Sequence, residues 1–110
     1  MKIDSAELLK NMLNAAQGVL KKKWPVAKDY AENEFRKLLE EVEHIAELKA
    51  KRKITKAEAI YLINLQRNSA RMVMLTLEGL GIIAVEDAIN AALLAVRETI
   101  NSALGGWKLL

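Results

Sequence analysis

The chain contains no cysteine, one histidine, one proline and five glycines among 110 residues, and only 5% of it is aromatic. Without cysteine there is no disulfide framework, no thiolate metal site and no cysteine nucleophile, and the composition suits a reducing compartment. So few prolines and glycines leave no flexible linker, and a single helical domain over residues 1–110 is expected at this length. Such a chain buries roughly two-thirds of the surface it exposes when unfolded, so it needs no metal or disulfide to hold together. Neither sign of charge dominates: 17 Lys and Arg against 14 Asp and Glu give a formal net charge of +3. The opening Met1-Lys2-Ile3-Asp4-Ser5 lacks the basic-then-apolar pattern of a secretion signal, which makes a cytoplasmic location the expectation.

What is present is helical periodicity from end to end. Asp4 with Glu7 three residues later starts a first helix, which runs to about Lys22. Leu8, Leu9, Met12, Leu13, Ala16, Val19 and Leu20 give it one apolar face, and the lysines at 21–23 suit its C-terminus. Pro25 sits where a second helix should begin, because the first helical position has no intrahelical N–H bond to lose. Ala31, Phe35, Leu38, Val42, Ile45 and Lys49 then form a seam in steps of four and three, on a helix that reaches about Lys51. Thr55-Lys56-Ala57-Glu58 is a capping box and starts a third helix, which the short basic turn before it makes an antiparallel neighbour of the second. Leu62, Leu65, Ser69, Val73, Leu77 and Leu80 are expected on its inner side, and Asn64, Arg67, Asn68 and Arg71 form a polar stripe on the other.

Residues 72–95 are the most apolar part of the chain, and Gly79-Leu80-Gly81 interrupts them. The apolar stripe that follows the glycines lies roughly 170° from the preceding one at ~100° per residue. Either the glycines are a turn between a third and a fourth helix, or they kink one long helix. Gly79 makes a reasonable helix stop, whereas Gly81 is a weak N-cap and Glu78 carries the wrong charge for a helix end. The turn is the expectation. Ala84, Ala88, Ala91, Ala92 and Ala95 leave little bulk on the last helix, so a close helix–helix approach is expected there. A helix apolar on nearly every side must be buried on all sides, and 110 residues offer few elements to surround it. A second copy of the chain is the simplest cover.

The fold class is therefore all-α: an antiparallel bundle of about four helices that self-associates, as a homodimer or higher oligomer. Met72, Met74, Leu75, Ile82, Ile83, Ile89 and Leu93 are the expected interface. The expected function is structural, a non-enzymatic protein–protein interaction module. With one histidine, no Gly-rich phosphate loop and no strand–turn–helix to carry one, catalysis has no foothold and no cofactor is implied.

Two other functions have some footing in the residues. Glu41 and His44 have the Glu-x-x-His spacing of ferritin-like di-iron bundles, with Glu78 as a further ligand and a dimer supplying the second motif. Against it, His44 lies roughly 150° from the apolar seam at ~100° per residue, so it faces outward where true ligands face inward. The second reading is a weak nucleic-acid or anionic-membrane-surface binder. It would rest on the polar stripe Asn64, Arg67, Asn68, Arg71 and on lysine clusters at 21–28 and 49–56. Those clusters fall at opposite ends of the second helix and form no single stripe, which disfavours nucleic acid. A transmembrane span is not expected, because Glu78, Glu86 and Asp87 each cost about +2.5 to +3.5 kcal/mol at a bilayer centre. The tail Gly105-Gly106-Trp107-Lys108-Leu109-Leu110 is expected to fold back onto the bundle or into a neighbouring subunit.

Overall fold

In the computed structural model, which describes residues 4–110, helix fills three uninterrupted stretches, 5–50, 56–75 and 82–103, and no described residue lies in a strand. Residues 1–3, the start of the segment that argues against a secretion signal, lie outside that range. The expectation of about four separate helices is corrected at one point. The α1 helix (Ser5–Leu20) passes into α2 (Trp24–Ala50) without a loop, through one 3-10 turn at Lys21–Lys23. The bend is made at Lys21, with φ 49° and ψ −111°, and Pro25 at the start of α2 has no N–H to lose there. Two further helices follow, α3 (Lys56–Leu75) and α4 (Ile82–Ala103).

Local signals set these boundaries. Asp4 Oδ1 accepts the Glu7 N–H at 3.1 Å and caps α1. The full capping box forms at α3, where Thr55 Oγ1 accepts the Glu58 N–H at 3.1 Å and Glu58 Oε1 accepts the Thr55 N–H at 2.9 Å. The chain then leaves helix at Leu75, earlier than its apolar stripe ends. Thr76 donates its hydroxyl to the Val73 carbonyl at 2.6 Å, Gly79 adopts φ 84°, and Gly81 is extended before α4. Residues 79–81 are therefore a turn, not a kink.

Each helix packs against its neighbours in the chain, and α1 closes the ring against α4, the most extensive of these pairings. Ala16 of α1 and Ala88 and Ala92 of α4 are completely buried, so small side chains on both helices let the backbones approach. Ala95, expected on that face, is exposed. Phe35, Val42 and Ile45 of α2 complete the centre, and Trp24 is buried at the bend. At 1.5 Å per residue the 27 residues of α2 span about 40 Å, which accounts for the longest dimension of 43 Å.

The tail returns to the bundle. Gly105 and Gly106 take φ of 66° and 87°, a region that glycine enters without steric cost. Asn101 Oδ1 then accepts the Leu109 and Leu110 N–H groups at 3.0 and 3.3 Å, and Leu109 is buried. Lys49 donates to the Leu104 carbonyl, with its Nζ 4.6 Å from the centre of the Trp107 ring. Among the described residues no helix is long and apolar enough to cross a membrane.

Candidate functional site

The turn at 79–81 divides the apolar segment 72–95 and sends its side chains in two directions. Met74, Ile89 and Leu93, expected at an interface, are instead in the chain's own core, 0 to 7% exposed. Two short helix ends with a reversal between them need less cover than one continuous apolar rod, and α1 and α2 provide it. Met72, Leu75, Ile82 and Ile83 remain on the surface, with exposures of 37 to 74%.

Those residues continue along α3. Tyr61, Leu65, Asn68, Met72 and Leu75 are all exposed, and they follow one another in steps of four, three, four and three. That spacing makes a single stripe on one helix face, the geometry of a helix–helix seam with one polar residue in its middle. Leu65 was expected inside. The buried side of α3 is instead Ala59, Ile63, Ala70 and Met74. Apolar residues occur all round α3, so periodicity alone left its rotation about its axis uncertain by about one residue, ~100°.

Rotating α3 this way also moves the polar stripe. Arg67 and Arg71 point sideways toward α4, where Arg67 donates to Asn90 Oδ1 and Arg71 pairs with Glu86. Asn68 stays outward and Asn64 is exposed. Between α3 and α4, the loosest pairing of neighbouring helices, a groove of ≈ 330 Å³ opens. Ile63, Leu93 and Leu109 line it from the core side, with Asn64, Arg67, Asn90 and Arg97 at its polar parts. The Nε of Arg67 is buried with no acceptor among the described residues.

Comparison with known protein families, with curated protein sequences and with solved structures finds no match. Function must be argued from this chain's own surfaces.

A wider groove, ≈ 690 Å³, lies between α1 and α2 around Leu9, Leu13 and Trp24. Its rim carries Lys10, Lys28 and Glu32, charges of both signs that select no ligand class.

One buried polar residue escaped the sequence reading. Glu34 of α2 is 2% exposed and accepts hydrogen bonds from Ser69 at 3.1 Å and Gln66 at 3.5 Å, both on α3. Lys37 completes its surroundings with an ion pair at 3.2 Å. The signal was available, because Ala27, Ala31, Glu34 and Leu38 follow in steps of four, three and four and so place Glu34 in the seam of α2.

The remaining candidates disperse. His44 faces solvent, as its phase predicts, with Glu41 Oε1 3.4 Å from its Nδ1. Glu78 cannot join them within the chain. A Cβ at neighbouring Gly79 would sit 2.8 Å from Lys23 Nζ, which puts Glu78 beside the start of α2, and Glu41 lies about 26 Å further along that helix at ~1.5 Å per residue. Among the described residues no three His, Asp or Glu side chains gather as a metal site would require. The lysine clusters flank opposite ends of α2, and Lys49 is committed to the Leu104 carbonyl and the Trp107 ring.

Proposed function

We propose that this chain is a non-enzymatic helical-bundle protein that works by association and forms a homodimer through the outer face of α3 and the start of α4. The single observation behind this reading is the exposed seam Tyr61, Leu65, Asn68, Met72 and Leu75, with Ile82 and Ile83 beyond it on the α3–α4 junction. A two-fold dimer uses the same patch on both copies, and a seam of this spacing is complementary to itself. Asn68, polar in the middle of an apolar line, fixes the register by pairing with its own copy, at some cost in stability. The short connections and the closure of α1 on α4 support an antiparallel arrangement within each copy.

The magnitude points to a weak dimer. Fully burying a large apolar side chain is worth about 1.5–3 kcal/mol, and these residues are already 26 to 63% covered, since their exposures run from 37 to 74%. Roughly half of that value remains for each. The set recovers several kcal/mol, comparable to the roughly 4–15 kcal/mol that association costs.

Light scattering on a size-exclusion column tests this. The mass should rise with concentration from 12.3 kDa toward twice that value, and Met72→Glu and Ile83→Glu should each hold it at the monomer. Both positions are mostly exposed, so the variants should keep the helical signal of the parent chain. A parent mass fixed at the monomer up to about millimolar concentration, or two variants that associate unchanged, would refute the reading.

A further inference from the structure

We infer that the groove between α3 and α4 binds a small anionic amphiphile, a carboxylate head on a short apolar chain. The groove measures ≈ 330 Å³, at the low end of the ~300–1,000 Å³ of small-molecule sites, so the chain is short. Its lining has two chemistries. Leu94 of α4 and Leu110 of the returning tail present accessible apolar surface, over a floor of the buried Ile63, Leu93 and Leu109. Arg67 from α3 and Arg97 from α4 bring two positive charges to the same groove, and no acidic side chain lines it.

The two arginines stand apart from the other cations nearby. Arg71, one turn along α3, is taken up by Glu86, whereas neither Arg67 nor Arg97 pairs with a carboxylate among the described residues. Like Arg71, Arg67 has a side-chain nitrogen that is out of water. Its Nε is buried without an acceptor, and its Nη2 is held in place by Asn90 Oδ1. A guanidinium that is already oriented, with one of its nitrogens out of water, has lost part of what binding would otherwise cost it, and its planar fork matches a carboxylate. The apolar lining selects against a bare inorganic anion, which would leave the exposed Leu94 side chain uncovered. An attached hydrocarbon chain gains free energy in proportion to the apolar area it covers.

The groove stays open for a reason legible in the chain. Asn64, Arg67, Asn90 and Arg97 occupy positions on the facing sides of α3 and α4 where apolar side chains would let the helices close. The returning tail supplies a wall, because Asn101 holds the Leu109 and Leu110 backbone.

The test is titration of sodium decanoate, below its micelle concentration, into the full chain, followed by calorimetry and by the backbone amide shifts of Leu93, Leu94, Arg97 and Leu109. Saturable binding of one decanoate per chain is expected. 1-Decanol, with the same chain and no charge, should bind about tenfold more weakly or worse, as should decanoate to Arg97→Met. Arg97 is exposed, so its variant keeps the fold; Arg67→Met should show the same loss where its melting curve matches the parent. Ile83→Glu, outside the groove, should bind decanoate like the parent, which separates this site from the dimer face. Absence of saturable binding, equal affinity for decanol, or unchanged affinity in Arg97→Met would overturn the inference. So would adsorption to phosphatidylglycerol vesicles with no binding of free decanoate, since that locates the affinity on a lipid surface and not in the groove.

Discussion

Single residues show how far local chemistry reaches in this protein. The Thr55 backbone N–H, and then its hydroxyl, hold the Glu58 carboxyl below the usual carboxylate range. A carboxyl whose value is depressed in the folded state stabilises the fold above its ordinary range, and that contribution disappears as pH falls through the folded value. The parent chain should therefore lose more stability than Glu58→Gln between neutral pH and about pH 3. Urea titrations at the two pH values measure the difference, and equal losses would show that the Glu58 charge contributes nothing. Glu34 makes a different demand, since a buried carboxylate must keep its donors. Ser69→Ala removes one of them and should cost about 1–3 kcal/mol. In a Glu34→Leu background the same substitution should cost close to nothing, and a double-mutant cycle by urea unfolding reads that coupling.

At the scale of elements, the connections carry as much of the fold as the helices do. The 3-10 turn at Lys21–Lys23 lets α1 and α2 pack together without a loop, and the turn at 79–81 places α4 where it meets α1 through alanines. One side chain holds the end of the tail by its backbone. Asn101 accepts two backbone N–H groups, so Asn101→Ala should release residues 107–110, speed amide exchange at Leu109 and Leu110, and cost about 1–3 kcal/mol. Exchange measured by NMR would decide it, because unchanged protection at those two amides means that burial of Leu109 alone holds the tail. The lysine at position 49 shows why charge counts mislead at this scale. It belongs to a basic cluster in the sequence, yet its ammonium caps the end of α4 at the Leu104 carbonyl and sits over Trp107.

For the whole molecule, the proposed dimer and the lysine clusters call for opposite responses to salt. A dimer held by Tyr61, Leu65, Met72, Leu75, Ile82 and Ile83 draws on apolar area, whereas the lysines at the two ends of α2 act through charge. The Debye length falls from about 10 Å at 0.1 M salt to about 3 Å at 1 M, so a contact made by exposed charges would weaken there. The proposed dimer should keep or gain association between those two conditions, measured by sedimentation at a fixed protein concentration. A mass that drops to the monomer in high salt would assign association to the basic clusters instead.

The sequence by itself determined the all-helical class, the starts of α1, α2 and α3 and the outward aim of His44. Each follows from interactions within a few residues or from the 3.6-residue period: Asp4 caps its own helix, Thr55 and Glu58 bond reciprocally, and Pro25 cannot sit deep in a helix. The pattern also ranked a turn above a kink at Gly79 and Gly81, where φ 84° at Gly79 records the outcome. Tertiary structure alone decided which apolar residues face inward. On α3 apolar side chains point in every direction, so its rotation is set by what α2 and α4 offer: Glu34 as a partner for Ser69 and Gln66, Asn90 and Glu86 as partners for the two arginines. Those contacts turn Met74 inward and leave Tyr61, Leu65 and Met72 on the surface. They also draw Arg67 and Arg97 to one groove from helices whose sequences do not mention each other. Pairings between residues far apart in the chain leave no period behind, and for that reason the candidate sites became visible only when the helices were packed.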